Sequence, residues 1–265
     1  MRANRLATAA KYAALLFMAV IWLYPIALAL YKSIAVGGWG NYGLVLNHET
    51  FHYWEAVANS FIMALAATAG IVVFSTLGGY AFSKMVFRGR ALIYNLLIAC
   101  MAVSIASVVT PLFSTINNAG LRDTQLGVII PMIAFNALQM LVIMKTHFDS
   151  LPDELIEAAL LDGCRSFRIL RTVLVPISGP TLATVSVLSF VYTWNEYLLP
   201  LLLLKSPELF PVTRAISLLQ TDRMSQGDIS VLYSGLILMT LPTLVVYLVS
   251  QRYLQSGVTA GAVKA

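Results

Sequence analysis

Six stretches of this chain, roughly residues 12–31, 60–82, 91–114, 126–145, 180–204 and 230–250, are long and apolar with few charges. A helix needs about 20 mostly apolar residues to cross the hydrocarbon core of a bilayer. Within that core each backbone N–H and C=O must find its partner inside the segment, so apolar stretches of this length are committed to helix. Nothing between them is large enough to form a soluble domain. The expectation is an all-α integral membrane protein with six transmembrane helices, built as a single membrane domain over 1–265. Composition agrees, with 11% charged residues against about 25% in soluble domains.

The first stretch follows Arg2, Arg5 and Lys11 and contains Ala27-Leu28-Ala29, which together imitate a secretory leader. Its apolar run exceeds the roughly 7–15 residues of a leader, and further spans follow, so an uncleaved anchor is expected. Lysine and arginine placement sets the orientation. With the N-terminus inside, twelve of the 17 basic residues fall on cytoplasmic stretches. The other five, Lys32, Arg122, Lys205, Arg214 and Arg223, fall outside. Both termini are therefore expected in the cytoplasm. The net charge of +5 reflects topology, and no nucleic-acid partner is expected.

That orientation puts the longest inner loop, 146–179, in the cytoplasm. It carries signals for two short helices. Ser150 and Asp153 have capping-box spacing, with Pro152 in the tolerated first turn. Asp153, Glu154 and Glu157 suit the positive end of a helix dipole. Leu155, Ile156, Ala159, Leu160 and Gly163 share a stripe at helical spacing, and Gly163 suits a left-handed helix end. A second helix is expected over 166–175, with Phe167, Ile169, Leu170, Val173 and Leu174 apolar and Arg165, Arg168 and Arg171 along another side. Pro176 and Pro180 bracket the return to the membrane. These patterns fit an amphipathic hairpin resting its arginines on lipid phosphates. They fit equally well a docking surface for a soluble partner, and periodicity does not separate the two.

"EAALLDG", Glu157 to Gly163, followed by Pro176, resembles the EAA loop of ABC-importer permeases, and "LPDELIEAALLDG" resembles the carbohydrate-uptake branch. "ANSFIMAL" at 58–65, "TWNEYLLPLLL" at 193–203 and the terminal "QRYLQSGVTAGAVKA" agree, so nearly the whole chain resembles the MalG-type subunit. Cys164, Arg165 and Val175 depart from the usual motif. The resemblance implies a type I importer permease. Its EAA helix would be a coupling helix docked in a cleft of a nucleotide-binding subunit through Glu157, Ala158, Ala159, Asp162 and Gly163. The cytoplasmic tail, 251–265, would reach the ATPase dimer through Gly257, Thr259 and Gly261. It implies a second homologous permease, two copies of the ATPase, and an extracytoplasmic solute-binding protein acting on outer loops such as 33–58 and 205–229. A carbohydrate is the implied substrate.

The chain's own chemistry is sparse. A phosphate-binding P-loop needs Gly-Lys, and that dipeptide is absent. His48 and His52 flank Glu49 in an outer loop, where solvated side chains are expected rather than a metal. Cys100 lies in an apolar run and Cys164 in the charged loop, so no disulfide is expected. Neither an enzyme activity nor a cofactor is expected. Polar groups at membrane depth usually face a cavity or another helix. Ser104, Ser107, Thr110, Asn136, Gln139, Tyr192, Trp194, Asn195 and Glu196 are thus candidates for a solute path. Glu196 is the one acid in an expected span, and it supports the alternative of an ion-coupled secondary transporter.

Overall fold

The structure is a computed structural model that describes residues 2–49, 51–220 and 224–262, with side-chain surroundings over 11–251. Among the described residues it is helical and without strands: α1 (Arg2–Ile34), α2 (Gly40–Leu46), α3 (Tyr53–Lys84), α4 (Arg90–Cys100), α5 (Ile105–Asn118), α6 (Gln125–Asp149), α7 (Glu154–Leu161), α8 (Ser166–Ile169), α9 (Val175–Ile177), α10 (Gly179–Trp194), α11 (Leu198–Leu203), α12 (Val212–Ser217) and α13 (Gln226–Ala262). A π-turn, Leu170–Leu174, joins α8 to α9. Pro176 explains it: the ring has no N–H to give and crowds the carbonyl one turn back, so the ladder widens locally.

Four helices are long and apolar enough to cross a membrane: Lys11–Ile34, Tyr53–Lys84, Gln125–Asp149 and Gln226–Gln251. Two bent pairs bring the number to as many as six. These pairs correct two of the expected spans. The stretch 91–114 is not one rod, because α4 and α5 meet at 100°. Met101, Ala102 and Val103 close tight turns onto Ile98, Ala99 and Cys100, and Ser104 then leaves helical geometry with ψ 139°. Nor is 180–204 continuous. The helix stops at Trp194, and α10 pairs instead with Ser166–Ile177 across an 85° bend at Ser178.

The chain divides into two compact units. In the first, 1–54 with 215–241, a hydrogen-bonded knot closes α1 over α2 and the start of α13. Asn41 donates its amide to the carbonyls of Ser33 (2.8 Å) and Val36 (2.6 Å). Ser234 donates to the Ser33 carbonyl, and Ser230 accepts from the Val36 N–H. Along the most apolar 18-residue window within Lys11–Ile34, α1 buries none of its residues in this chain, Ser33 near its end being the buried exception outside that window, so the covering of that stretch has to be lipid or another subunit.

The second unit, 55–214 with 242–265, contains the main core. Met63 and Ile71 of α3, Met132, Met140, Met144 and Phe148 of α6, and Val185 and Trp194 of α10 are almost completely buried. Unbranched methionines fill the irregular gaps between crossing helices. Glycines on α3 permit the approach: a Cβ on Gly79 would sit 2.8 Å from Met144 Cβ and 3.0 Å from the Lys145 backbone nitrogen. At one end of this unit Asp123 adopts φ 57° and staples a loop. Its carboxylate accepts from the N–H of Lys205 (2.8 Å) and from the N–H (3.0 Å) and hydroxyl (2.6 Å) of Ser206.

Candidate functional site

The segment between α6 and α10 is tied down before it turns. Asp149 accepts from Lys145 (2.6 Å) and from the Ser83 hydroxyl (2.7 Å). Lys84, its side chain 7% exposed, donates to the Leu151 carbonyl (2.8 Å) and pairs with Asp153. This pairing replaces the expected capping box. Ser150 turns back to the His147 carbonyl, and Asp153 caps α7 with its backbone oxygen rather than its side chain. A buried lysine outcompetes the backbone N–H groups for that carboxylate.

The other end of α7 forms as its residues dictate. Gly163 takes φ 77°. The Cys164 N–H reaches the Ala159 carbonyl (3.0 Å), and the Gly163 N–H reaches that of Leu160 (2.9 Å). This is the paired bonding of a Schellman cap. It ends α7 sharply and redirects the chain into α8.

The expected docking set divides between two faces. Glu157, Ala158, Asp162 and Gly163 are exposed. Ala159 is 6% exposed and packs into a cluster with Tyr80 of α3, Met144 and Phe148 of α6, Ile169 of α8, Leu170 of the π-turn, and Val185 of α10. Ala159 therefore faces the core and not the open surface. Leu160 and Phe167 do not share the buried face; they are 55% and 66% exposed, and Leu161 is 90% exposed. Together they put an apolar patch on an otherwise charged segment, the usual mark of a protein contact. Leu161 was legible in principle, because an apolar residue off the buried stripe of an otherwise charged loop needs a covering.

The polar candidates at membrane depth are not gathered into one site. Asn136 is half-buried and donates to the Met132 carbonyl on its own helix. Gln139 is exposed and lines a cavity of about 460 Å³ with Met101 and Val103, beside the α4–α5 bend. Ser104, Ser107 and Thr110, on that bend and α5, are exposed. Tyr192 is exposed, and Asn195 folds its amide onto the Val191 carbonyl (2.8 Å). Trp194, expected on the solute path, is 1% exposed, stacked on Phe190 and edge-on to Phe61. Glu196 is also otherwise engaged: its carboxylate accepts from the Leu199 N–H (3.1 Å) at the start of α11. An acid used to begin a helix gives ion coupling little support. Gly257, Thr259 and Gly261 lie on the terminal turns of α13, where only the backbone is described. Among the described residues no group of three His, Cys, Asp or Glu side chains comes together to hold a metal. His48 stacks on Phe51 at 4.8 Å.

The family model described as "Binding-protein-dependent transport system inner membrane component" matches residues 72–260. The chain is 33% identical over 227 residues to the trehalose/maltose transport system permease protein MalG of Thermococcus litoralis, covering 84% of this chain and 80% of that one. It is 30% identical over 224 residues to the arabinooligosaccharides transport system permease protein AraQ of Bacillus subtilis, covering 84% and 78%. Among solved structures, a chain of a bacterial ABC transporter that imports the acidic polysaccharide alginate superposes with a TM-score of 0.79 at 26% identity, covering 96% of this chain and 98% of that one.

Proposed function

The chain belongs to the binding-protein-dependent transport system inner membrane component family, and from that premise we propose how it works within an ATP-driven importer. It is a multi-pass permease subunit of an ABC importer for carbohydrate uptake. It forms half of the translocation path, beside a second homologous permease, in the cytoplasmic membrane. Both termini and the 146–179 segment face the cytoplasm. ATP is hydrolysed on a separate subunit present in two copies, and an extracytoplasmic solute-binding protein delivers the sugar. The 1–265 chain acts as one membrane domain despite its two packing units.

The observation that carries this reading is α7. Its outer face offers Glu157, Ala158, Leu161 and Asp162 to a partner, while Ala159 on its inner face is locked among α3, α6 and α10. A push on the outer face therefore reaches three spans through close-packed contacts, and packed interiors transmit displacement rather than absorb it. Closure of the ATPase pair would move α7, and the spans would follow. The terminal residues Gly257, Thr259 and Gly261 add a second contact to the ATPase. Gln139, Asn136, Tyr192 and Asn195 serve the sugar path, whereas Trp194 and Glu196 hold α10 and α11 in place.

The test is purification of the tagged chain from its own membrane in mild detergent, with every co-eluting protein identified. An ATPase and a second permease in fixed ratio support the proposal. A chain that elutes alone, stable and folded, overturns it.

A further inference from the structure

Along the chain, movement of α7 reaches α10 across a corner. Ser166–Ile177 and α10 meet there at 85°, with Ser178 between them at φ −85° and ψ 11°. The main chain holds this corner weakly. Pro176 and Pro180 contribute no N–H to the helical ladder, and Gly179 between them has open space where a Cβ would stand. A corner built this way flexes under load, and displacement of the 146–179 segment would then be absorbed by the bend before it reached α10.

A side chain from another span closes the gap. Ser178 is completely buried. Its hydroxyl donates to the Leu174 carbonyl (2.7 Å), one turn back. His147, half-buried in the last turn of α6, places Nε2 2.9 Å from the same oxygen. Serine has a single hydrogen to give, and Leu174 takes it. The ring must therefore donate: Nε2 carries the hydrogen and Ser178 Oγ accepts it. The main chain of Ser178 reaches both arms of the corner, its N–H bonding to the Leu174 carbonyl (3.0 Å) and its carbonyl accepting from the Leu182 N–H of α10 (2.8 Å). Next to His147, Phe148 is fully buried in the core with Met144 and Leu174, which fixes the turn of α6 that carries the imidazole. Lys84 thus fastens the entry of the 146–179 segment, and His147 fastens its exit.

We infer that His147 is the positioning residue of this corner. Its Nε2–H holds Ser178, and the angle between the segment and α10 is kept while the segment moves. The inference rests on the lever reading of α7 and deepens it by naming the group that stiffens the bend. His147 acts through Ser178 and needs no contact with sugar or ATP.

The test combines amide hydrogen exchange on the purified permease with sugar uptake and ATP hydrolysis by the assembled importer in proteoliposomes. His147→Leu keeps the bulk and removes the donor. Exchange over 177–182 should rise about fivefold, the worth of one hydrogen bond, with α3 and the rest of α6 unchanged. Sugar taken up per ATP hydrolysed should drop in that variant while the ATPase rate is retained. His147→Gln carries an N–H at similar reach and should keep both readouts near wild type. His147→Asn, one carbon shorter, should behave like His147→Leu. Adding His147→Leu to Ser178→Ala should make neither readout worse than Ser178→Ala alone, because both act on one bond. Wild-type exchange at the corner in His147→Leu overturns the inference. So does a lower Tm with the uptake-to-ATP ratio intact, which would assign the ring to packing alone, and so does a His147→Gln variant as impaired as His147→Leu. If no ATPase co-purifies, the importer reading fails, and exchange at the corner by itself then decides the hold on Ser178.

Discussion

Three positions show how single residues act here through conformation or charge. Gly163 ends α7 at φ 77° with open space around it, so the constraint on this position is backbone strain and not crowding. A left-handed L-residue costs about 1–2 kcal/mol. Gly163→Asp adds a charge to the exposed turn as well, and it should uncouple transport: uptake into proteoliposomes falls at least tenfold while the complex still assembles. Full uptake in that variant would falsify the lever reading of α7. Asp123 gives a pH dependence. Hydrogen bonds from Ser206 and Lys205 hold its carboxyl below the ordinary carboxylate range. Its contribution to stability is thus fully present above the unfolded-state pKa and is lost as pH falls through the lowered native value. Asp123→Asn should melt at lower temperature than wild type at neutral pH, and the two melting curves should converge in acid. Glu196 illustrates the opposite hazard. It reads as an intramembrane acid in sequence but serves as the first hydrogen-bond acceptor of α11.

At the scale of elements, the crossing of α3 over α6 sets the position of the 146–179 segment. An added methyl at Gly79 meets backbone atoms of α6, which have little freedom to move aside. Gly79→Ala should therefore destabilise the protein by roughly 1–3 kcal/mol, read as a lower Tm in detergent, despite the better helix propensity of alanine. Lys84 ties the end of α3 to the start of α7 through the Leu151 carbonyl and Asp153. Lys84→Met keeps the buried stem and removes the donor. It should loosen α7 more than it unfolds the protein, raising hydrogen exchange over 151–161 with little change in the spans. Uniform exchange across the molecule would assign Lys84 a global role instead. The break at Ser104 and the pairing across Ser178 were the least legible features, the first because nothing there interrupts hydrophobicity. The first has no proline or glycine at the bend. At the second, Pro176, Gly179 and Pro180 marked a turn but did not show that α10 pairs with the segment before it.

For the whole molecule, the surface left uncovered is as informative as the core. The apolar window of α1 is unburied, and Leu160, Leu161 and Phe167 stand out from a charged segment. Substituting an exposed position that touches nothing normally changes stability by less than about 0.5 kcal/mol. Leu161→Arg should accordingly leave the Tm unchanged and still lower ATPase co-purification severalfold. Retention of the ATPase at wild-type stoichiometry would move the docking face elsewhere on the chain.

Hydrophobic length by itself determined that this chain lives in a bilayer as helices, because lipid offers the backbone no partner. The EAA stretch with its glycine determined where the 146–179 segment turns, because glycine takes that backbone geometry without strain. Tertiary structure alone decided which side chains face outward from that turn. Ala159 and Leu160 are neighbours in sequence and similar in apolar character, yet Ala159 packs into the cluster with Tyr80, Phe148 and Ile169 while Leu160 stands 55% exposed. Tertiary structure also decided the work of the membrane polar groups. Whether a carboxylate or an indole faces a path or holds a helix depends on neighbours brought together across the fold, and periodicity along one helix carries no record of them.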